Sequence, residues 1–93
     1  MIARRVYFTG RVQGVGFRYS TKEIAKGFDV TGWIKNLNDG RVEMLVKGDE
    51  EEVDSFIEDI TEQSHLANFV RSVDVETTSP GSLDGVRGFV IER

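Results

Sequence analysis

Residues 4–28, RRVYFTGRVQGVGFRYSTKEIAKGF, decide the fold, because within them the hydrophobic period changes from two to about 3.6. Residues 4–12 alternate: Val6, Phe8 and Gly10 share one parity, and Arg5, Tyr7 and Thr9 the other. Rich in β-branched and aromatic types, this segment reads as a half-buried strand. From Phe17 onward, Phe17, Thr21, Ile24, Ala25 and Phe28 form the stripe of an amphipathic helix, with Lys22, Glu23 and Lys26 on its polar side. Gly10, Gly14 and Gly16 stand between the two patterns, so a glycine loop joins strand to helix.

Working outward, strand patterns at residues 30–37 and 41–47 flank Asn38-Asp39-Gly40. Asp-Gly between two such runs signals a hairpin, since glycine enters positive φ without strain. Val53, Phe56, Ile57 and Ile60 then recur at helical spacing. Asp49 is placed to cap that helix, with Glu52 three residues on completing a capping box. The acids Glu50, Glu51 and Glu52 complement the helix dipole rather than mark a metal site. A strand over residues 70–77, with Val73 and Val75 in alternation, precedes a polar loop at 78–88 and a short closing strand, Phe89-Val90-Ile91. The order β-α-β-β-α-β predicts an α+β, ferredoxin-like sandwich: an antiparallel sheet, two helices on one face, and a short C-terminal fifth strand. Val6, Phe8, Ile34, Val42, Met44 and Val46 are expected to face the helices.

A chain of 93 residues with 39% hydrophobic content supports one core, so residues 1–93 are read as a single domain. Twelve basic and 16 acidic residues give a net charge of -4, which repels nucleic acid and anionic membranes at long range. The chain has no cysteine, which excludes disulfides, thiolate metal sites and thiol chemistry. No segment approaches the roughly 20 apolar residues of a membrane span, and the N-terminus lacks a signal-peptide core. A soluble, cytoplasmic monomer is the expectation.

The glycines of GRVQGVGFR, residues 10–18, fall in the order G-x-x-x-G-x-G. That is neither the G-x-G-x-x-G of dinucleotide sites nor a phosphate loop, which needs a following Gly-Lys-Ser/Thr. What remains is the arrangement those motifs exploit: a strand, a glycine loop and a helix N-terminus, whose N–H groups form an anion-binding nest. Arg18 falls in the first helical turn, where the dipole disfavours a cation by roughly 0.3–1 kcal/mol. An anion between the two would resolve that conflict; a plain connection with the arginine in solvent is the alternative. Asn36 shares the parity of Ile34 near a strand end, although asparagine is depleted in strands. It either shapes the turn or holds a water or substrate oxygen.

Taken together, GRVQGVGFR followed by GWIKNLNDGRVE at residues 32–43 closely resembles the acylphosphatase family, and the resemblance extends over essentially the whole chain. It implies that the main-chain N–H groups of Gln13, Gly14, Val15, Gly16 and Phe17 cradle a phosphate. It also makes Arg18 the essential arginine and Asn36 the catalytic asparagine. The implied reaction is hydrolysis of an acyl phosphate to a carboxylate and inorganic phosphate, with no cofactor, no metal, and neither nucleic acid nor membrane as partner. The chain departs from the family pattern at Asp29, often glycine, at Gln63-Ser64-His65-Leu66, where Gly-Pro is common, and at Leu37, where some members carry a hydroxyl residue.

RNA recognition motifs share the element order, and Tyr7 and Trp33 would lie on the helix-free face. That reading needs aromatic residues where the third strand carries Glu43 and Leu45. His65, the one histidine, falls in a loop with no partner motif and is read as structural.

Overall fold

The computed structural model describes residues 1–92. Its elements are β1 (Ile2–Gly10), α1 (Phe17–Ala25), β2 (Val30–Asn36), β3 (Val42–Gly48), α2 (Glu50–Glu58), β4 (Val70–Thr78) and β5 (Phe89–Ile91). The sheet runs β4-β1-β3-β2-β5. β1 pairs antiparallel with both β3 and β4, and β2 antiparallel with β3. This is the expected ferredoxin-like arrangement, with one correction: β5 lies parallel to β2, so the sheet is mixed rather than antiparallel throughout. Chain path explains the direction. β4 and β5 occupy opposite edges, and the segment between them crosses the face that carries no helix. There a 3-10 helix, Pro80–Leu83, buries Leu83, and Asp84 reaches Lys47 at 3.9 Å. Leu45, on that same face, is only 2% exposed.

Register brings the predicted core together. Val6 lies opposite Met44 and Phe8 opposite Val42, while on the other side of β3 Ile34 pairs with Met44 and Asn36 with Val42. All six predicted core positions are fully buried. Against them α1 sets Phe17, Thr21 and Ala25, and α2 sets Val53 and Phe56. Phe17 stacks on Phe8 with ring centroids 5.0 Å apart, which anchors the start of α1 to β1. Burial of one such ring stabilises by roughly 1.5–3 kcal/mol, enough to fix where the helix begins.

Several local expectations give way to tertiary contacts. β1 begins and ends two residues earlier than its alternation indicates, because a register shift at Thr9/Gly10 turns the chain out of the sheet. Val12 then drops into the core. The capping box on α2 does not form: Asp49 makes no side-chain cap, and Glu52 instead accepts from the Asp29 N–H at 2.7 Å, tying α2 to the turn before β2. Beyond α2 the helical path to which the sequence assigns Ile60 continues as a π-helical turn, Asp59–Gln63, and a 3-10 helix, His65–Phe69, then forms where sequence alone suggests a loop. Ser64 caps the latter by accepting from the Leu66 N–H at 3.1 Å. β4 buries less than its alternating valines promise, since it is an edge strand and Val75 stays 49% exposed.

Candidate active site

At the C-terminal end of β1 the chain enters the glycine loop. Gly14 and Gly16 take φ values of 79° and 75°, and a Cβ at either position would meet open space. Glycine is therefore demanded by backbone conformation rather than by crowding. Gly16 also caps α1, whose first backbone bond runs from the Ser20 N–H to the Gly16 carbonyl at 2.9 Å. Among the described residues, none of the amides of Gln13 through Phe17 donates to a backbone or side-chain acceptor. A run of unpaired N–H groups at a helix N-terminus, shaped by left-handed glycines, is an anion-binding concavity.

A cleft of about 190 Å³ opens at this point, walled by Gly14, Gly16, Phe17, Arg18 and Asn36, with Val12, Tyr19 and Ile91 completing it. Arg18 has no carboxylate partner among the described residues; its Nη1 donates weakly, at 3.4 Å, to the Glu92 carbonyl. A half-exposed guanidinium so lightly held keeps most of its donors free for a ligand. Asn36 reaches the cleft from the end of β2, on the helix-facing side of the sheet. Its Oδ1 is buried without a hydrogen-bond partner, a state shared among the described residues only by Thr21 Oγ1. A buried acceptor left unpaired costs about 1–3 kcal/mol.

The predicted site residues thus divide. Gly14, Gly16, Phe17, Arg18 and Asn36 converge on one cleft; Gln13 and Val15 do not line it. The Gln13 side chain turns instead to the β2–β3 hairpin, where Nε2 donates to the carbonyls of Leu37 at 2.8 Å and Arg41 at 3.0 Å. Tyr19 and Ile91 were not foreseen. Tyr19 is on the polar side of the helical pattern, and Ile91 arrives through the parallel pairing of β5 with β2. His65 is exposed and does not line the cleft.

The helix-free face carries a different chemistry. Glu43, 7% exposed, is bracketed by Arg5 and Lys35, and its hydrogen bond holds the Arg5 guanidinium above its ordinary pKa. Arg41 lies over Tyr7 at 4.8 Å and Lys35 over Trp33 at 5.3 Å. With both aromatics covered by cations and part of the face crossed by the chain, this surface offers no stacking platform for bases.

Fold and cleft together define a ferredoxin-like domain with a run of unpaired loop amides beside a cleft at one end of its sheet. The family model for acylphosphatase matches residues 4–91, and the chain belongs to the acylphosphatase family, enzymes that hydrolyse the carboxyl–phosphate bond of acyl phosphates. It is 44% identical over 96 residues to an acylphosphatase of Nostoc sp., covering 100% of this chain and 88% of that one. The crystal structure of acylphosphatase from Bacillus subtilis superposes with a TM-score of 0.86 at 39% identity, each chain covered fully (100%). T.kodakarensis HypF contains a region with the same fold, 30% identical with a TM-score of 0.82, covering 100% of this chain and 12% of that much longer one. No helix among the described residues is long and apolar enough to cross a membrane.

Proposed function

We propose that the cleft is the acylphosphatase active site, with the free amides of the glycine loop and Arg18 binding the phosphoryl group and Asn36 orienting the attacking water. The observation that carries this reading is that Asn36, Arg18 and the glycines of the loop line one cleft. A neutral amide is too weak a base to take a proton, but its carbonyl and N–H groups can hydrogen-bond a water and so place it.

The chemistry is within reach of these groups. Water's oxygen forms a bond to phosphorus while the bond from phosphorus to the acyl oxygen breaks, and the bonding pair leaves with the carboxylate. That carboxylate has a conjugate-acid pKa near ~4, so it departs without a general acid at neutral pH. The water proton passes to a phosphoryl oxygen. Charge on the equatorial oxygens is met by N–H groups and a guanidinium fork, the stabilisation on which phosphoryl transfer chiefly depends.

Phosphate release from benzoyl phosphate tests the reading. Purified protein should release phosphate well above the buffer rate with no metal added, with inorganic phosphate as a competitive inhibitor. Release no faster than buffer would overturn it; phosphate binding in that case would leave an anion-binding module.

A further inference from the structure

The geometry points to Gln13 as a positioning residue for Asn36: its side chain clamps the cradle loop to the hairpin that begins at the catalytic asparagine. This rests on the role proposed for Asn36. The clamp is made by the side chain and not by the backbone amide that the proposed function assigns to the cradle, and its two bonds span 24 and 28 residues of sequence.

Both hydrogen bonds leave a single nitrogen, Nε2, and end on the carbonyls at either side of the turn, Leu37 and Arg41. Carbonyls only accept, so the amide nitrogen, not its oxygen, must face them. Each carbonyl has a second bond of its own. Arg41 O accepts from the Leu37 N–H at 2.8 Å, and Leu37 O from the Gly40 N–H at 3.3 Å. Gln13 therefore supplies the remaining bond to each and closes the hairpin's open end. Leu37 follows Asn36 directly, so a bond to its carbonyl restrains the chain immediately after the side chain that aims the water.

The cradle has separate anchors. Phe17 is stacked on Phe8, and the Arg11 N–H donates to the Phe69 carbonyl at 2.9 Å. Loss of the clamp should thus free the hairpin more than the cradle, which predicts damage to turnover with phosphate binding preserved. Small misplacement of a positioned group lowers rate by as much as about 100-fold.

Two variants of similar side-chain length separate a donor role from mere space filling. Gln13→Met keeps the length and removes the donors; Gln13→Glu keeps the shape and faces two carbonyls with a carboxylate. The expected result is a fall in kcat of about 10-fold for Met and a larger fall for Glu, with the inhibition constant of inorganic phosphate within about twofold of wild type in both. NMR of the wild-type protein should also show the Gln13 side-chain amide protons protected from exchange. Unchanged kcat in both variants, equal losses of kcat and phosphate affinity, or a rapidly exchanging Gln13 amide would overturn the clamp. Wild-type protein that fails to release phosphate from benzoyl phosphate would instead overturn the function on which it rests.

Discussion

Two glycine-bearing loops stand at the same end of the sheet, and they use their backbone groups in opposite ways. In the β2–β3 hairpin, the Leu37 and Gly40 N–H groups find carbonyls, and Asp39 accepts from both the N–H and the Nε of Arg41, at 3.1 and 2.8 Å. In the loop between β1 and α1, the amides of Gln13 through Phe17 find no acceptor among the described residues. Both loops carry glycine at positive φ, so glycine by itself does not mark a binding site. The distinguishing property is an unmet set of donors converging beside a lightly held arginine. One loop is closed by hydrogen bonds, whereas the other leaves its donors open, as the proposed phosphate site requires.

The largest effects should come from the two side chains that complete the open loop. Arg18→Ala removes the only cationic fork that the described residues place on the cleft wall, and kcat/KM should fall by about 10³- to 10⁵-fold, with phosphate inhibition weakened in parallel. Asn36→Ala should lower kcat by about 100- to 1000-fold while inorganic phosphate still competes as in wild type. Steady-state kinetics with phosphate as inhibitor separates the two roles. Equal loss of phosphate affinity in both variants would break the division between a charge-binding residue and a water-placing one.

A smaller effect compares the loops directly. Gly16 and Gly40 have φ values of 75° and 95°, and a Cβ meets no atom within 4 Å at either, so alanine strains the backbone without a clash. Each substitution should destabilise by about 1–2 kcal/mol, read as a shift in the urea midpoint. Only Gly16→Ala should also weaken phosphate binding, because relaxing its φ tilts the cradle amides. If Gly40→Ala weakened phosphate binding equally, the contrast between an open and a closed loop would lose its meaning.

How far the sequence discloses this arrangement depends on the range of the contacts involved. Strand parity is local, so Val6, Phe8, Ile34, Val42, Met44 and Val46 could be assigned to the core from a period of two. For Arg18 and Asn36 local preference alone, a cation in a first helical turn and an asparagine on a core-facing strand position, left the bland reading open; the family resemblance singled them out, and the fold brings both to one cleft. The bond from Glu52 to Asp29 was not legible, because capping is a local competition that a partner 23 residues away can win. For the same reason the Gln13 clamp leaves no periodic trace. The direction of β5 was hidden too, since it depends on which face the chain crosses between two sheet edges. Tyr19 could have been flagged only as an exposed aromatic beside the arginine; it is 64% exposed.

The smallest effect tests whether the hairpin truly closes itself. Asp39 has its pKa lowered, first by the backbone N–H of Arg41 and then by the Arg41 side chain. A carboxylate with a depressed folded pKa contributes stability above its unfolded value of about 4, and that contribution is lost as the pH falls through the folded value. Asp39→Asn should therefore be slightly less stable than wild type at neutral pH. The gap should shrink as the solution is acidified below about pH 4, as Asp39 itself becomes uncharged in the wild-type protein. Because Asp39 is exposed, added salt should also reduce the gap at neutral pH. Urea unfolding of both proteins across an acid pH series measures it directly. A difference that stayed constant from neutral pH through strong acid would show that the ion pair with Arg41 does not close the turn, leaving that work to the backbone bonds and to Gln13.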